Sequence, residues 1–574
     1  MNNKTAILTS RSKPSDDQIL KLKRFLRDKY KDLFDIEWVQ DTSIKKGFYL
    51  QVGEKIYDWT IQGKLNQLEE KLENVDVKSS NFVSMLQSTF SEFSLTSEAK
   101  EVGRVEAIGD GIAKVSGLQN ATYGEVLIFA NGIKGMILDI QKDELGCIIF
   151  GDDEPIYEGS KVYRSKKTAG ILASDEMLGR VVNALGETID GEGPINATHF
   201  CPIEKHAPTI MQRKPVHRAL ETGLLTIDSM FPIGRGQREL IIGDRQTGKT
   251  AIAIDTILNQ KDKNVICIYV AIGQKASSVS QIYRNLKERG AMDYTVIVCS
   301  TASESAAMQY ISPYTGCAIG EYFMEKGKDV LVVYDDLSKH AISYRSISLL
   351  LERSPGREAY PGDVFYLHSR LLERSAQLSD KYGSGSMSAL PIVETQAGDV
   401  SAYIPTNIIS ITDGQIFLES DLFFSGQRPA VNVGLSVSRV GGAAQSQMVK
   451  KASSTIRLDL AQYREMEVFT QFASDLDETT KNQLKYGQGL MQLLKQDQYS
   501  PYQDYQQTII LVVALSKLLI RFENKEIRGQ MLNILHYIEE NDKILIEELK
   551  NSKELTDYGR ERILDLAKEY LASL

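Results

Sequence analysis

Glu239-Leu240-Ile241-Ile242-Gly243-Asp244-Arg245-Gln246-Thr247-Gly248-Lys249-Thr250, continued by the helical pattern of Ala251 to Leu258, is the stretch that decides the fold. An apolar run that can only be a buried strand leads directly into Gly-x-x-x-x-Gly-Lys-Thr, and a helix follows. That order is what a phosphate-binding loop requires. Glycines let backbone N–H groups wrap phosphate oxygens, and the helix start adds positive potential. Lys249 then neutralises the β and γ phosphates, and the Thr250 hydroxyl can ligate magnesium. The strand and helix on either side set aside a chance match of the loop.

Outward from the loop, Val330-Leu331-Val332-Val333-Tyr334 reads as a second buried strand ending in Asp335-Asp336, where ligands collect in parallel α/β sheets. Asp335 is the expected magnesium carboxylate, acting directly or through water. The strand Val265 to Ile272 ends in Gly273-Gln274-Lys275. Cleavage of ATP needs a group that takes a proton from water, and the amide of Gln274 cannot take one. This position separates nucleotide binding from nucleotide cleavage.

Residues from about 166 to 446 alternate apolar strands with helical patterns, the mark of a mostly parallel sheet covered by helices. Before them, five or six short β-type runs between Glu101 and Tyr163 predict a small barrel. After Ala443 the strands stop, and the Leu-, Gln-, Lys- and Glu-rich remainder predicts a helical bundle. At the front, Ser15 and Gln18 have capping-box spacing ahead of Ile19, Leu22, Phe25 and Leu26. Phe48 to Val52 and Ile56 to Asp58 predict a hairpin, and Leu65, Leu68 and Leu72 a closing helix. The expected division is a small α/β segment over 1–75, a linker over 76–98, a six-stranded β-barrel over 99–165, a RecA-like phosphate-loop domain over 166–446 and a helical bundle over 447–574.

Length and composition agree with this multidomain α/β reading. The 574 residues predict about four domains, with 25% charged and 42% hydrophobic residues. The net charge of −9 argues against a general grip on nucleic acid, and no run is long and apolar enough to span a membrane. Cys147, Cys201, Cys267, Cys299 and Cys317 show no Cys-x-x-Cys pairing, which predicts reduced core thiols. MNNKTAILTSRSKPSDD lacks the apolar centre of a secretory signal and reads as a mature cytosolic start.

Taken together, Gly243 to Thr250, Tyr334 to Lys339, Pro355 to Asp363 and Ser436 to Gly441 resemble the alpha subunits of F-type ATP synthases, over residues about 100–574. The resemblance implies a ring of three alpha and three beta subunits around a gamma shaft, held by stator delta and b subunits. Attachment to the membrane is then indirect, on the cytoplasmic face of a bacterial cell membrane in preference to an organelle inner membrane. It further implies a site for Mg-ATP or Mg-ADP built from Gly243, Asp244, Arg245, Gln246, Thr247, Gly248, Lys249, Thr250, Gln274 and Asp335, in which Gln274 stands where catalytic beta subunits carry glutamate. Arg428, Pro429, Gln496 and Gln498 would surround the adenine. Arg439 would be an arginine finger reaching a neighbouring catalytic site. Phe472 to Asp477 and Glu352 to Gly356 would face the shaft, with Gly356 supplying the backbone freedom of a tight turn.

The first 75 residues depart from ordinary alpha subunits. Asp41 to Phe48 and Val52 to Leu65 resemble the C-terminal part of the delta subunit, which suggests a fused stator segment; an unrelated extension is the alternative. Two other classes compete for the main chain. A self-sufficient ring ATPase, such as a Rho-like RNA translocase or an export ATPase, needs its own catalytic glutamate, against which Gln274 stands. A purely structural assembly protein with a relic site stands against the intact phosphate loop.

Overall fold

The computed structural model describes residues 4–53, 55–61, 63, 100–151, 153–470 and 478–574. The helix expected from Leu65, Leu68 and Leu72, the linker over 76–98 and the loop Phe472 to Asp477 lie outside the described residues. The chain divides into two compact units, Met1–Ala169 and Gly170–Leu574.

In the first unit, β1 (Lys4–Ser10), α1 (Asp16–Tyr30) and β2 (Phe34–Gln40) form a strand-helix-strand unit with β1 and β2 parallel, and β3 (Phe48–Val52) turns at Gly53 into β4 (Lys55–Asp58). The hairpin and the helix match expectation; β1 and β2 do not appear in the sequence reading. In β2, Phe34, Ile36 and Trp38 alternate with Asp35 and Glu37, a strand signal that the sequence reading passed over, whereas the run Ala6-Ile7-Leu8 of β1 does not alternate and is defined by its pairing. Helix α1 begins with the anticipated capping box, in which Gln18 N–H donates to Ser15 Oγ at 3.4 Å and Ser15 N–H to Gln18 Oε1 at 2.9 Å. Leu26 is its buried anchor against Ala6, Leu8, Leu50 and Tyr57.

Strands β5 (Lys100–Gly109), β6 (Ile112–Ser116), β7 (Glu125–Ile128), β8 (Lys134–Ile140), β9 (Leu145–Phe150) and β10 (Lys161–Thr168) close into a six-stranded barrel, because β10 pairs with both β7 and β5. Val105, Val115, Leu127, Ile137 and Ile149 fill it. Arg164 on β10 ties the closure, bonding Glu125 at 2.9 Å and Glu101 at 3.0 Å. The N-terminal sheet runs on into this barrel: Lys55 pairs with Glu101 and Ile56 with Lys100.

The second unit is built on an eight-stranded sheet. Its strands are β11 (Val181–Val182), β12 (Leu240–Gly243), β13 (Val265–Gln274), β14 (Thr295–Thr301), β15 (Asp329–Asp335), β16 (Ser386–Glu394), β17 (Gly414–Leu418) and β18 (Val437–Ser438). They lie in the order β11-β14-β13-β15-β16-β12-β17-β18, and only β18 is antiparallel to its neighbour. The central strands are apolar on both faces, as a sheet covered on both sides requires. Helices α2 (Lys249–Leu258) and α3 (Leu337–Leu350) follow β12 and β15. Past Ala443 only helices occur among the described residues, including α4 (Glu478–Leu493), α5 (Asp504–Leu515) and α6 (Asn524–Asn541). Their apolar faces share one core with the sheet, through Ile252, Val431, Leu490 and Ile510.

The turn at Pro355 corrects one expectation. Gly356 has φ −103°, and the left-handed residues of this turn are Glu358 and Ala359. Gly356 is there for close approach, since a Cβ would come within 3.1 Å of the Tyr360 carbonyl.

Candidate functional site

The loop Gly243 to Gly248 leaves the end of β12 between β16 and β17, and α2 starts at its far side. Gly248 takes φ +97° and Gln246 φ +63°, a left-handed sequence that turns successive N–H groups to one side. Asp244 anchors the loop from below. It accepts from Thr395 Oγ1 at 2.6 Å, Gly398 N–H at 2.9 Å and Ser420 Oγ at 3.0 Å. Burial would raise its pKa, but these bonds outweigh burial and hold it below the ordinary value. Thr247 closes the loop on the Asp244 carbonyl at 2.8 Å.

Lys249 curls back over the loop, with Nζ donating to the carbonyls of Gly243, at 2.8 Å, and Asp244. Burial lowers its pKa, opposed by Glu394, Asp336, Asp335 and Asp244. A buried ammonium whose hydrogen bonds go to backbone carbonyls gains from a phosphate. Arg245 is exposed and pairs with Glu394 at 3.1 Å, a surface contact worth little by itself. Both residues line an open cleft of about 590 Å³ beside the loop, with Asp244, Ser338, Glu358 and Tyr360.

Asp335 is where three elements converge. Thr250 Oγ1 donates to its Oδ2 at 2.8 Å and Tyr269 O–H to the same oxygen at 2.6 Å, while Gln274 Nε2 donates to Oδ1 at 3.0 Å. Asp336 caps α3, accepting from Lys339 N–H at 2.8 Å. Burial pushes its pKa up to about 6, opposed by Lys339 and reinforced by Asp335. A hydroxyl and a carboxylate in contact are hard oxygen donors, the set magnesium takes when phosphates and water complete its shell. Among the described residues no group of three His, Cys, Asp or Glu could hold a metal without such help. The donor set therefore fits a nucleotide-bound magnesium ion.

Of the remaining expected residues, Arg428 comes near the loop through Phe423, whose ring lies 3.8 Å from the Cβ position of Gly248. Arg428 lies over the Phe423 ring at 4.4 Å, and its carbonyl accepts from Gln496 N–H at 2.8 Å, so the loops bearing Arg428-Pro429 and Gln496 meet. The Gln496 amide is committed to backbone: Nε2 donates to Gly223 and Ser500 carbonyls at 2.7 and 2.8 Å, and Oε1 accepts from Leu225 N–H at 3.1 Å. Gln498 is exposed. Arg439 follows β18 and is tied through its N–H to the Asp413 carbonyl at 2.9 Å. Its guanidinium is exposed and forms no ion pair among the described residues.

Comparison with known proteins settles the family. The family model for the ATP synthase alpha/beta nucleotide-binding domain matches residues 223–438, with the family's beta-barrel domain at 99–166 and its C-terminal domain at 445–570. ATP synthase subunit alpha of Caldanaerobacter subterraneus subsp. tengcongensis is 56% identical over 487 residues, covering 85% of this chain and 96% of that protein. The chain belongs to the ATP synthase alpha-subunit family. Alpha subunits of two Clostridium botulinum strains, Alaska E43 and Hall, are 54% and 55% identical over 483 residues, each covering 84% of this chain and 96% of the relative. Residues 1–72 match a different model, the ATP synthase delta (OSCP) subunit. This alpha-family chain thus carries a delta-like domain at its N-terminus, and membership makes it a component of the ATP synthase complex.

Tyr269 is the residue that sequence reasoning missed. A tyrosine inside the apolar run Val265 to Ile272 reads as core, and in part it is: burial pushes its phenol well above the ordinary pKa, and the charge of Asp335 adds to this. The available signal was its position, two residues before Ala271, which pairs with Asp335. Asp244, expected only as a member of the loop motif, is also the loop's anchor.

Proposed function

We propose that this chain binds Mg-ATP, or Mg-ADP, without hydrolysing it, and serves the ring both as a structural subunit and as donor of an arginine finger. The observation that carries the reading is the amide of Gln274, donating to Asp335 at 3.0 Å. Proton abstraction from an attacking water needs a carboxylate or imidazole at such a position. Lys249 would neutralise the phosphates, and Thr250 and Asp335 would hold magnesium, Asp335 partly through water. Magnesium, when bound, would supply charge neutralisation to the phosphates. Backbone groups of Gly243 to Gly248 would bind the phosphate oxygens, and Arg428, Pro429, Gln496 and Gln498 would border the adenine.

Arg439 acts elsewhere in this reading. An exposed guanidinium with no ion pair among the described residues could reach the γ-phosphate held by an adjacent beta subunit, where planar bidentate donation stabilises transition-state charge. The partners are then beta subunits alternating with this chain in a hexamer, a gamma shaft, and stator delta and b proteins, which the delta-like N-terminal domain would meet. Among the described residues no helix is long and apolar enough to cross a membrane. The chain would sit on the cytoplasmic face of the bacterial cell membrane through its partners, in an assembly coupling ATP synthesis to ion flow.

Reconstitution of the ring with beta and gamma tests the proposal. Lys249→Ala should weaken nucleotide binding at this chain's site, whereas Arg439→Lys should leave that site filled and cut multisite turnover by about a thousandfold or more. A ring in which Arg439→Lys turns over normally removes the finger.

A further inference from the structure

Strands β13 and β15 run parallel, with Tyr269 opposite Val333 and Ala271 opposite Asp335. Residues two apart on a strand share a face, so Tyr269 and Ala271 lie on the side of the sheet to which Asp335 belongs. A methyl group at 271 leaves room beside the carboxylate that a larger side chain would fill. The Tyr269 hydroxyl occupies that direction and donates to Asp335 Oδ2 at 2.6 Å. Tyr269 is completely buried. A buried hydroxyl that lost its acceptor would be left desolvated and unsatisfied, which keeps the bond in place.

The three donors on Asp335 are not equivalent. Thr250 lies at the start of α2 and is itself an expected magnesium ligand, so its oxygen would bind the ion while its hydrogen serves Asp335. Gln274 is the last residue of β13, next to Gly273 at φ +59°. Tyr269 alone donates from the interior of a strand paired on both sides. We infer that Tyr269 is a positioning residue for magnesium, holding the Asp335 carboxylate in the orientation the ion needs; this rests on the nucleotide-site reading above. Partners that orient a metal's carboxylate ligand typically contribute about tenfold to hundredfold in metal affinity.

The test is calorimetric titration of ATP into the full-length chain, once with excess magnesium and once in EDTA. Wild-type protein should bind ATP more tightly with magnesium. Tyr269→Phe should keep its EDTA affinity within about twofold and lose about tenfold to hundredfold of the magnesium gain. In an Asp335→Asn background, Tyr269→Phe should have no further effect, because it acts through that carboxylate. An unchanged magnesium gain in Tyr269→Phe overturns the inference, as does an equal loss in both buffers, the result of a merely structural role. Should the phenylalanine variant not fold, 4-aminophenylalanine at position 269, a weaker donor, should give a reduced magnesium gain, and a wild-type gain there overturns the inference. ATP bound by neither protein in either buffer overturns the underlying site reading, and this inference with it.

Discussion

Thr250 Oγ1 lies 2.8 Å from Asp335 Oδ2, closing a hydrogen bond between residues 85 apart in sequence. The first turn of α2 and the last residue of β15 are thereby fixed at one point, where a phosphate chain and its magnesium would sit. Lys249, one residue earlier, donates its hydrogen bonds among the described residues to backbone carbonyls alone. Lys249→Ala should therefore reduce ATP affinity by about tenfold to hundredfold, the equivalent of one or two charge-assisted hydrogen bonds. Equilibrium binding of a fluorescent ATP analogue measures this; an unaltered affinity is incompatible with the loop as the phosphate site.

Gln274→Glu replaces a donor to Asp335 with a second carboxylate about 3 Å away. Like charges at that distance force one carboxyl to keep its proton, so the pair acquires a raised pKa in the folded state. The sign follows: stability is retained at low pH and lost as pH rises through that raised pKa. The variant's thermal midpoint should fall below wild type at pH 8 and recover toward pH 5, with magnesium restoring part of the loss. A variant tracking wild type at every pH would mean that residue 274 does not meet Asp335.

Arg439 separates stability from catalysis. Its exposed side chain, with no ion pair among the described residues, predicts that Arg439→Lys changes unfolding free energy by no more than about 0.5 kcal/mol. Turnover of the assembled ring should fall by about a thousandfold or more. Denaturant titration of the chain and ATP turnover of the ring give the two numbers.

Much of this was legible in the sequence because the chemistry is local. Gly243 to Thr250 announces its own strand, loop and helix, and the barrel is visible because each strand ends in a Gly or Asp turn. Ser15 and Gln18 likewise announce the start of α1. What stayed hidden depends on contacts between distant residues. Strand β1, whose Ala6-Ile7-Leu8 run does not alternate, exists through its pairing with β2 and β3, and Tyr269 matters because Ala271 pairs with Asp335 sixty-four positions later. Gln496 shows the converse: a residue assigned to the adenine spends its amide on three backbone groups that join the nucleotide domain to the helical bundle. At Gly356 the residue type was read as a need for positive φ, whereas the constraint is the nearby Tyr360 carbonyl.

The same junction holds a titration. Asp504 opens α5, and its Oδ2 is buried without a hydrogen-bond partner among the described residues. Burial, then repulsion from Glu221, push its pKa up to about 7, Ser446 and Lys263 opposing and Asp228 reinforcing. A carboxyl with a folded pKa above its unfolded value near 4 favours folding in the protonated form. Its contribution is full below pH about 4 and is lost as pH rises to about 7. Asp504→Asn should therefore gain stability relative to wild type at pH 8, clearly less at pH 5 and least near pH 4, read from urea midpoints. Parallel pH profiles for the two proteins would remove Asp504 from this role.

The most direct test of the central claim is the fate of bound nucleotide. The full-length chain is loaded with magnesium and γ-labelled ATP, freed of excess ligand by rapid gel filtration, and quenched after increasing times. About one ATP per chain should be recovered intact after many minutes, with no matching release of phosphate. Steady conversion of the bound ATP to ADP and phosphate, or no retained nucleotide at all, would contradict the account.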